Sequence, residues 1–315
     1  MRGPKILPPA LAVGAGLVAA ATLLPWLKFV LTIALAKSLA VSGILLLLRA
    51  GQVSFGHALY IAASAYTVAF AAQNAGTADV AILLPAGIMV ASLLGLVVGL
   101  FVVRYRDIFF GMLNLAFSMV FYSLLEKAYA ITKGTDGIRV PLPRVLGFPL
   151  DRAGFEWVMF GLALSLAAGA LVLCRLYLNS PAGQALAGIK TRETRLEFAG
   201  LSPQRVLLVA YVLSAALAGA GGAIIACATR HVTPLLAYWT ASGELVFIAI
   251  LGGIGSVLGP VLGAITFELV RVYASAAFAG TWHMILGAVL LGIILFAARG
   301  LWGIYEDIVA RRRPT

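Results

Sequence analysis

Charge is scarce in this chain: only 11% of its 315 residues are Asp, Glu, Lys or Arg, against roughly a quarter in soluble domains. Together with 62% hydrophobic residues and a mean hydropathy of +1.03, that scarcity excludes a soluble globular protein. Cysteine is nearly absent, and the two present, Cys174 and Cys227, cannot staple a framework. They fall near opposite faces of the expected bilayer and should not pair. The three histidines, His57, His231 and His283, stand far apart, so neither a metal centre nor a His-based catalytic set is supported. The glycine patterns that cradle phosphates or dinucleotides are missing, and so is a Gly-x-Ser-x-Gly elbow. The expectation is a non-catalytic protein with no metal or cofactor of its own.

Long apolar runs are what the sequence has instead. A hydrocarbon core about 30 Å thick demands roughly 17–25 apolar residues per helix. Ten stretches are candidates: 10–27, 30–48, 57–73, 80–103, 108–130, 156–176, 206–228, 241–254, 259–279 and 282–298. The expected fold is all-α, a polytopic membrane bundle of about ten helices forming a single domain over 1–315. The first run offers small residues at Val18-Ala19-Ala20-Ala21, as a cleavage site would, but its length suits an uncleaved spanning helix. Small residues crowd Ser214 to Ala226, which lets helix backbones approach one another in lipid.

The net charge of +11 would suggest nucleic acid in a soluble chain. Here the excess of Lys and Arg in cytoplasmic loops explains it, and no nucleic-acid partner is expected. With the N-terminus inside, Arg2, Lys5, Arg49, Arg104, Arg106, Arg175, Lys190, Arg192, Arg195, Arg205, Arg299 and Arg311 to Arg313 share that side. Lys28, Lys133, Arg139, Arg144, Arg152 and Arg230 fall opposite. Both termini are thus expected in the cytoplasm. Ionisable groups inside spans are costly and become functional candidates. They are Lys37, Glu126, Lys127, Glu268 and Arg271; the last two, three residues apart, share a helix face and can neutralise each other.

Two polar stretches interrupt the spans. The segment 179–205 lies on the cytoplasmic side. Ser180-Pro181 reads as an N-cap followed by Pro at the first helical position. Gly200 reads as the left-handed residue after a helix end, and Ser202-Pro203 restarts the pattern. A short helix outside the membrane follows, with Ile189, Leu196 and Ala199 roughly on one face. The other stretch, 131–156, lies outside; its Gly134-Thr135-Asp136-Gly137 core and prolines predict an ordered, irregular loop.

Glycine also breaks the pattern at Gly51-Gln52-Val53-Ser54-Phe55-Gly56-His57 and at Gly252-Gly253-Ile254-Gly255-Ser256-Val257-Leu258-Gly259-Pro260. Their matching places in the two halves point to an internal repeat. Each is either part of a transport path or a tight turn between spans.

These two motifs, with Lys133-Gly134-Thr135-Asp136-Gly137-Ile138 and the stretch Ser180 to Ser202, resemble the LivM-like permeases. Those are membrane subunits of ATP-binding-cassette importers for branched-chain amino acids in the bacterial cytoplasmic (inner) membrane. The likeness runs over nearly the whole chain. It implies as partners a second, LivH-like permease, two cytoplasmic ATPases holding ATP and Mg, a soluble substrate-binding protein and membrane lipid. It also implies an ATPase-coupling segment made of Ile189, Lys190, Arg192, Glu193, Thr194, Arg195, Glu197, Phe198, Ala199, Gly200 and Leu201. Candidates for the translocation path are Gln52, Ser54, Phe55, His57, Asn114, Ser118, Gly253 and Ser256. Urea, short amides or small carboxylic acids are the alternative cargo, and a secondary transporter is the alternative class.

Overall fold

The computed structural model describes residues 7–74 and 79–277, and beyond them 281, 284–285, 287–288, 291–292 and 300–304. Helices dominate: α1 (Leu7–Leu23), α2 (Leu27–Arg49), α3 (His57–Asn74), α4 (Val80–Val102), α5 (Asp107–Lys127), the one-turn α6 (Tyr129–Thr132), α7 (Arg152–Asn179), α8 (Pro181–Thr191), α9 (Glu193–Phe198), α10 (Pro203–Thr229), α11 (Trp239–Gly252) and α12 (Gly259–Ala277). Among the described residues, α2, α4, α5, α7, α10 and α12 are long and apolar enough to cross a membrane. The first nine expected spans coincide with α1–α5, α7 and α10–α12; the tenth, 282–298, falls largely outside the described residues, as do both termini.

The helices form an inner and an outer layer. The most apolar window is 89% buried in α2 and 72% in α10, against 28% in α4 and α5, so α2 and α10 are the core and α4 and α5 face lipid. α3 is also largely buried, which lets it carry more polar residues than a lipid-facing helix could. The small residues of α10 explain its central place. A methyl group at Gly222 would stand 2.3 Å from the Ile61 carbonyl oxygen of α3, so only glycine permits that approach.

At one end of the bundle, β1 (Ile138–Arg139) pairs antiparallel with β2 (His231–Val232), tying the 131–156 connection to the end of α10. Asp79 caps α4 through the Ala81 N–H, at 2.8 Å, and also accepts from Leu146 and Gly147 of that connection. The loop is ordered and irregular, as its turn residues predict.

The glycine-broken motifs are turns, joining α2 to α3 and α11 to α12. Gly51 and Gly253 both have positive φ, and Ser54 and Ser256, three residues on, each accept the N–H of the residue two further along. The next helix then starts three residues after the serine.

The segment 179–205 departs from the expected single helix. Ser180 Oγ accepts the Gly183 N–H at 3.3 Å, and Gly200 has a φ of +77°, so both ends behave as read. In between, Arg192 is extended (φ −158°, ψ 108°) and separates α8 from α9. The break turns α9 so that Leu196 packs over Gly188 and Glu193 reaches Arg106. One straight helix could not make both contacts.

Candidate functional site

The membrane interior holds a closed set of four charges. Lys37, near the middle of α2, places its ammonium 2.8 Å from Glu244 Oε2 on α11 and 2.7 Å from Glu268 Oε1 on α12. Glu268 Oε2 also holds Arg271 Nη2 at 2.6 Å. Two cations face two carboxylates, which is how charge survives in apolar surroundings. The Glu268–Arg271 spacing anticipated one of these pairs. Glu244 was missed: its only local signal is a carboxylate inside the expected span 241–254, and its partner lies 207 residues away.

The two acids differ in access. The Glu268 side chain is 1% exposed, whereas that of Glu244 is 28% exposed and opens on a groove of about 1120 Å³. Phe55, Ile108, Met112, Phe247 and Phe267 give the groove apolar walls. It extends from Gly51, in a turn at the end that carries α8 and α9, and Asp107, the first residue of α5, to Trp239 at the start of α11.

Of the eight path candidates, Phe55 lines this groove. The other seven are buried, most of them in hydrogen bonds between helices. Gln52 Oε1 accepts the Asp107 N–H at 2.8 Å. His57 sits between Ser54, at 2.9 Å, and Ser214. Tyr60 donates to Tyr211 at 2.7 Å, Tyr211 donates to Asn114 Oδ1, and Asn114 donates to the Phe110 carbonyl. Ser118 donates to the Ala237 carbonyl at 2.8 Å. Gly253 and Ser256 form the α11–α12 turn. Every buried polar group that finds such a partner avoids a desolvation cost of about 1–3 kcal/mol.

The second concentration of function-bearing residues is α8–α9. Ile189 is buried and Leu196 half-buried, which anchors the segment to the bundle. Arg106 clamps it to the α4–α5 turn, bonding Glu193 while also donating to the Tyr105 carbonyl. Lys190 lies against Gly51. What faces outward is Phe198, 93% exposed, with Leu201 at 44% and Arg192, Thr194, Arg195, Glu197, Ala199 and Gly200 also exposed. Among the described residues, no group of His, Cys, Asp and Glu is placed to hold a metal ion.

The sequence profile of the family described as "Branched-chain amino acid transport system / permease component" matches residues 10–297, a range covering the groove, the four charges and α8–α9. The chain belongs to that permease family. Two relatives carry the name high-affinity branched-chain amino acid transport system permease protein LivM, one from Escherichia coli K12 and one from Salmonella typhimurium LT2. Each is 28% identical over 276 residues, covering 80% of this chain. The permease spans 64% of the length of those relatives. No solved structure matches it. A multi-pass helical membrane protein is thus what family and fold both show.

Proposed function

We propose that this permease is one membrane subunit of an ATP-driven importer for leucine, isoleucine and valine in the bacterial inner membrane. A second permease would complete the path, a soluble binding protein would deliver the cargo, and two cytoplasmic ATPases would drive the cycle. The observation that carries the reading is Phe198, an aromatic ring 93% exposed on a segment locked to the bundle by Ile189 and Arg106. Phe198 and its exposed neighbour Leu201 make an apolar contact surface beside Arg192, Arg195 and Glu197, which fits a partner's groove. Family membership supports an ATPase as that partner, because the sequence contains no phosphate-binding loop of its own.

In this reading the α8–α9 end is cytoplasmic, in keeping with its Lys and Arg. ATP-driven closure of the ATPases moves α8–α9, and the Arg106–Glu193 contact passes that motion to the α4–α5 turn. The rigid inner layer of α2, α3 and α10 then rocks as a unit between outward and inward access. Purification from native membranes tests the assembly. The ATPase subunits should co-purify with the permease and be lost with Phe198→Asp; a permease that purifies alone and carries leucine in liposomes without ATP would overturn it.

A further inference from the structure

We infer that Glu244 and Lys37 form a recognition site for the zwitterionic head of an amino acid inside the membrane. The inference rests on the importer reading above and adds a place and a chemistry to it. Glu244 is the charged side chain of the set that opens on the apolar groove, while its partner Lys37 also contacts Glu268, 2.7 Å away, the acid it shares with Arg271. Glu268 is enclosed among the helices, whereas Glu244 is the acid that a ligand in the groove can reach.

An arriving amino acid inserts its head between the two. Its ammonium takes the place of Lys37 on Glu244, and its carboxylate takes the place of Glu244 on Lys37. One ion pair becomes two, Lys37 keeps Glu268, and the net charge of the site stays at zero. An amine or a carboxylate alone would leave the site charged in a low-dielectric interior, where such a charge is costly. Urea and short amides carry no charges to exchange. The chemistry therefore selects a zwitterion. Phe55, Ile108, Phe247 and Phe267 offer its side chain an apolar wall. The groove, about 1120 Å³, exceeds the roughly 300–1,000 Å³ of fitted small-molecule sites, as suits a passage that must also release its cargo.

Uptake of radiolabelled leucine by the complete native transporter tests this, with the permease intact or carrying Glu244→Gln, Glu244→Asp or Lys37→Met with Glu244→Gln. Each protein is also quantified in the membrane. The Gln variant should lose at least about tenfold in uptake per permease, the scale of losing one charge-assisted contact. The double variant is decisive. It leaves Glu268 and Arg271 as a neutral pair, and replacing a structural ion pair as a unit is often harmless. Recognition predicts that it stays inactive at a wild-type membrane level; uptake within about threefold of the intact protein would overturn the inference. Should the Gln variants fail to reach the membrane, Glu244→Asp decides, because it keeps the charge but withdraws it by one methylene: lowered uptake supports recognition, and unchanged uptake overturns it. Absence of leucine uptake by the intact transporter would instead sink the importer reading itself.

Discussion

Gly51 and Gly253 both take a positive φ, +78° and +89°, at the start of two turns about two hundred residues apart. Each leads by three residues to a serine that caps the turn and by six to the start of a helix. The shared spacing gives both turns one structural duty, fixing where α3 and α12 begin.

Substituting alanine for either glycine forces an L residue to a positive φ; at Gly253, where ψ is 134°, that lies outside even the left-handed helical well, and such strained backbone costs about 1–3 kcal/mol. Gly253→Ala should be the worse of the two, because Gly253 is buried and Gly51 is half-buried. Thermal unfolding in detergent checks the order; equal melting temperatures for both variants and the intact protein would refute the shared role.

Gly200, with a φ of +77° and nothing near its missing side chain, ends α9 by conformation alone. Proline locks φ near −65°, so Gly200→Pro should reorient Phe198 and Leu201 without disturbing the bundle. Binding-protein-stimulated ATP hydrolysis should fall to the basal rate while membrane insertion is retained. Glu197→Lys, exposed on the same segment, should weaken coupling in the same direction. Full stimulation in both variants would remove the segment from the coupling path.

Glu268 is enclosed and serves two cations. Glu268→Leu removes the carboxylate shared by Lys37 and Arg271 and leaves two cations with the single acid Glu244, an uncompensated charge among apolar helices. The expected result is a sharp drop in membrane-inserted protein, read by quantitative blotting. Adding Arg271→Leu restores neutrality and should recover much of it.

Asp79 gives a pH signature at the β1–β2 end. The Ala81 N–H, aided by those of Gly147 and Leu146, holds its carboxyl below the usual carboxylate range. The charged form is favoured by the folded state, so this contribution is fully present above the ordinary carboxylate pKa of about 3.9 and is lost as pH falls through the lowered folded value. Hydrogen exchange in residues 144–148, corrected for its intrinsic pH dependence, should be steady down to that range and rise below it. The step should disappear in Asp79→Ala.

Most of the fold was legible because its signals are local. Apolar run length, Ser-Pro starts such as Ser180-Pro181 and the positive-φ glycines Gly51, Gly200 and Gly253 each act within a few residues. The site was less legible because it is made by contacts across the chain. Glu244 meets Lys37 from 207 positions away, and beyond the break at Arg192 the residue Glu193 meets Arg106, 87 positions away. Polar residues in spans are ambiguous in the sequence for the same reason: the bonds of Asn114, Ser118 and His57 to Tyr211, Ala237 and Ser214 join positions about 100 or more residues apart.

Under the function proposed above, this permease couples ATP hydrolysis elsewhere to movement of a branched-chain amino acid through its bundle. Uptake of labelled leucine into proteoliposomes holding the purified complex, with ATP inside or omitted and with Phe198 intact or changed to Asp, tests it most directly. Uptake should require both ATP and the aromatic ring. Leucine uptake by the permease alone, driven by an ion gradient and indifferent to Phe198, would contradict it.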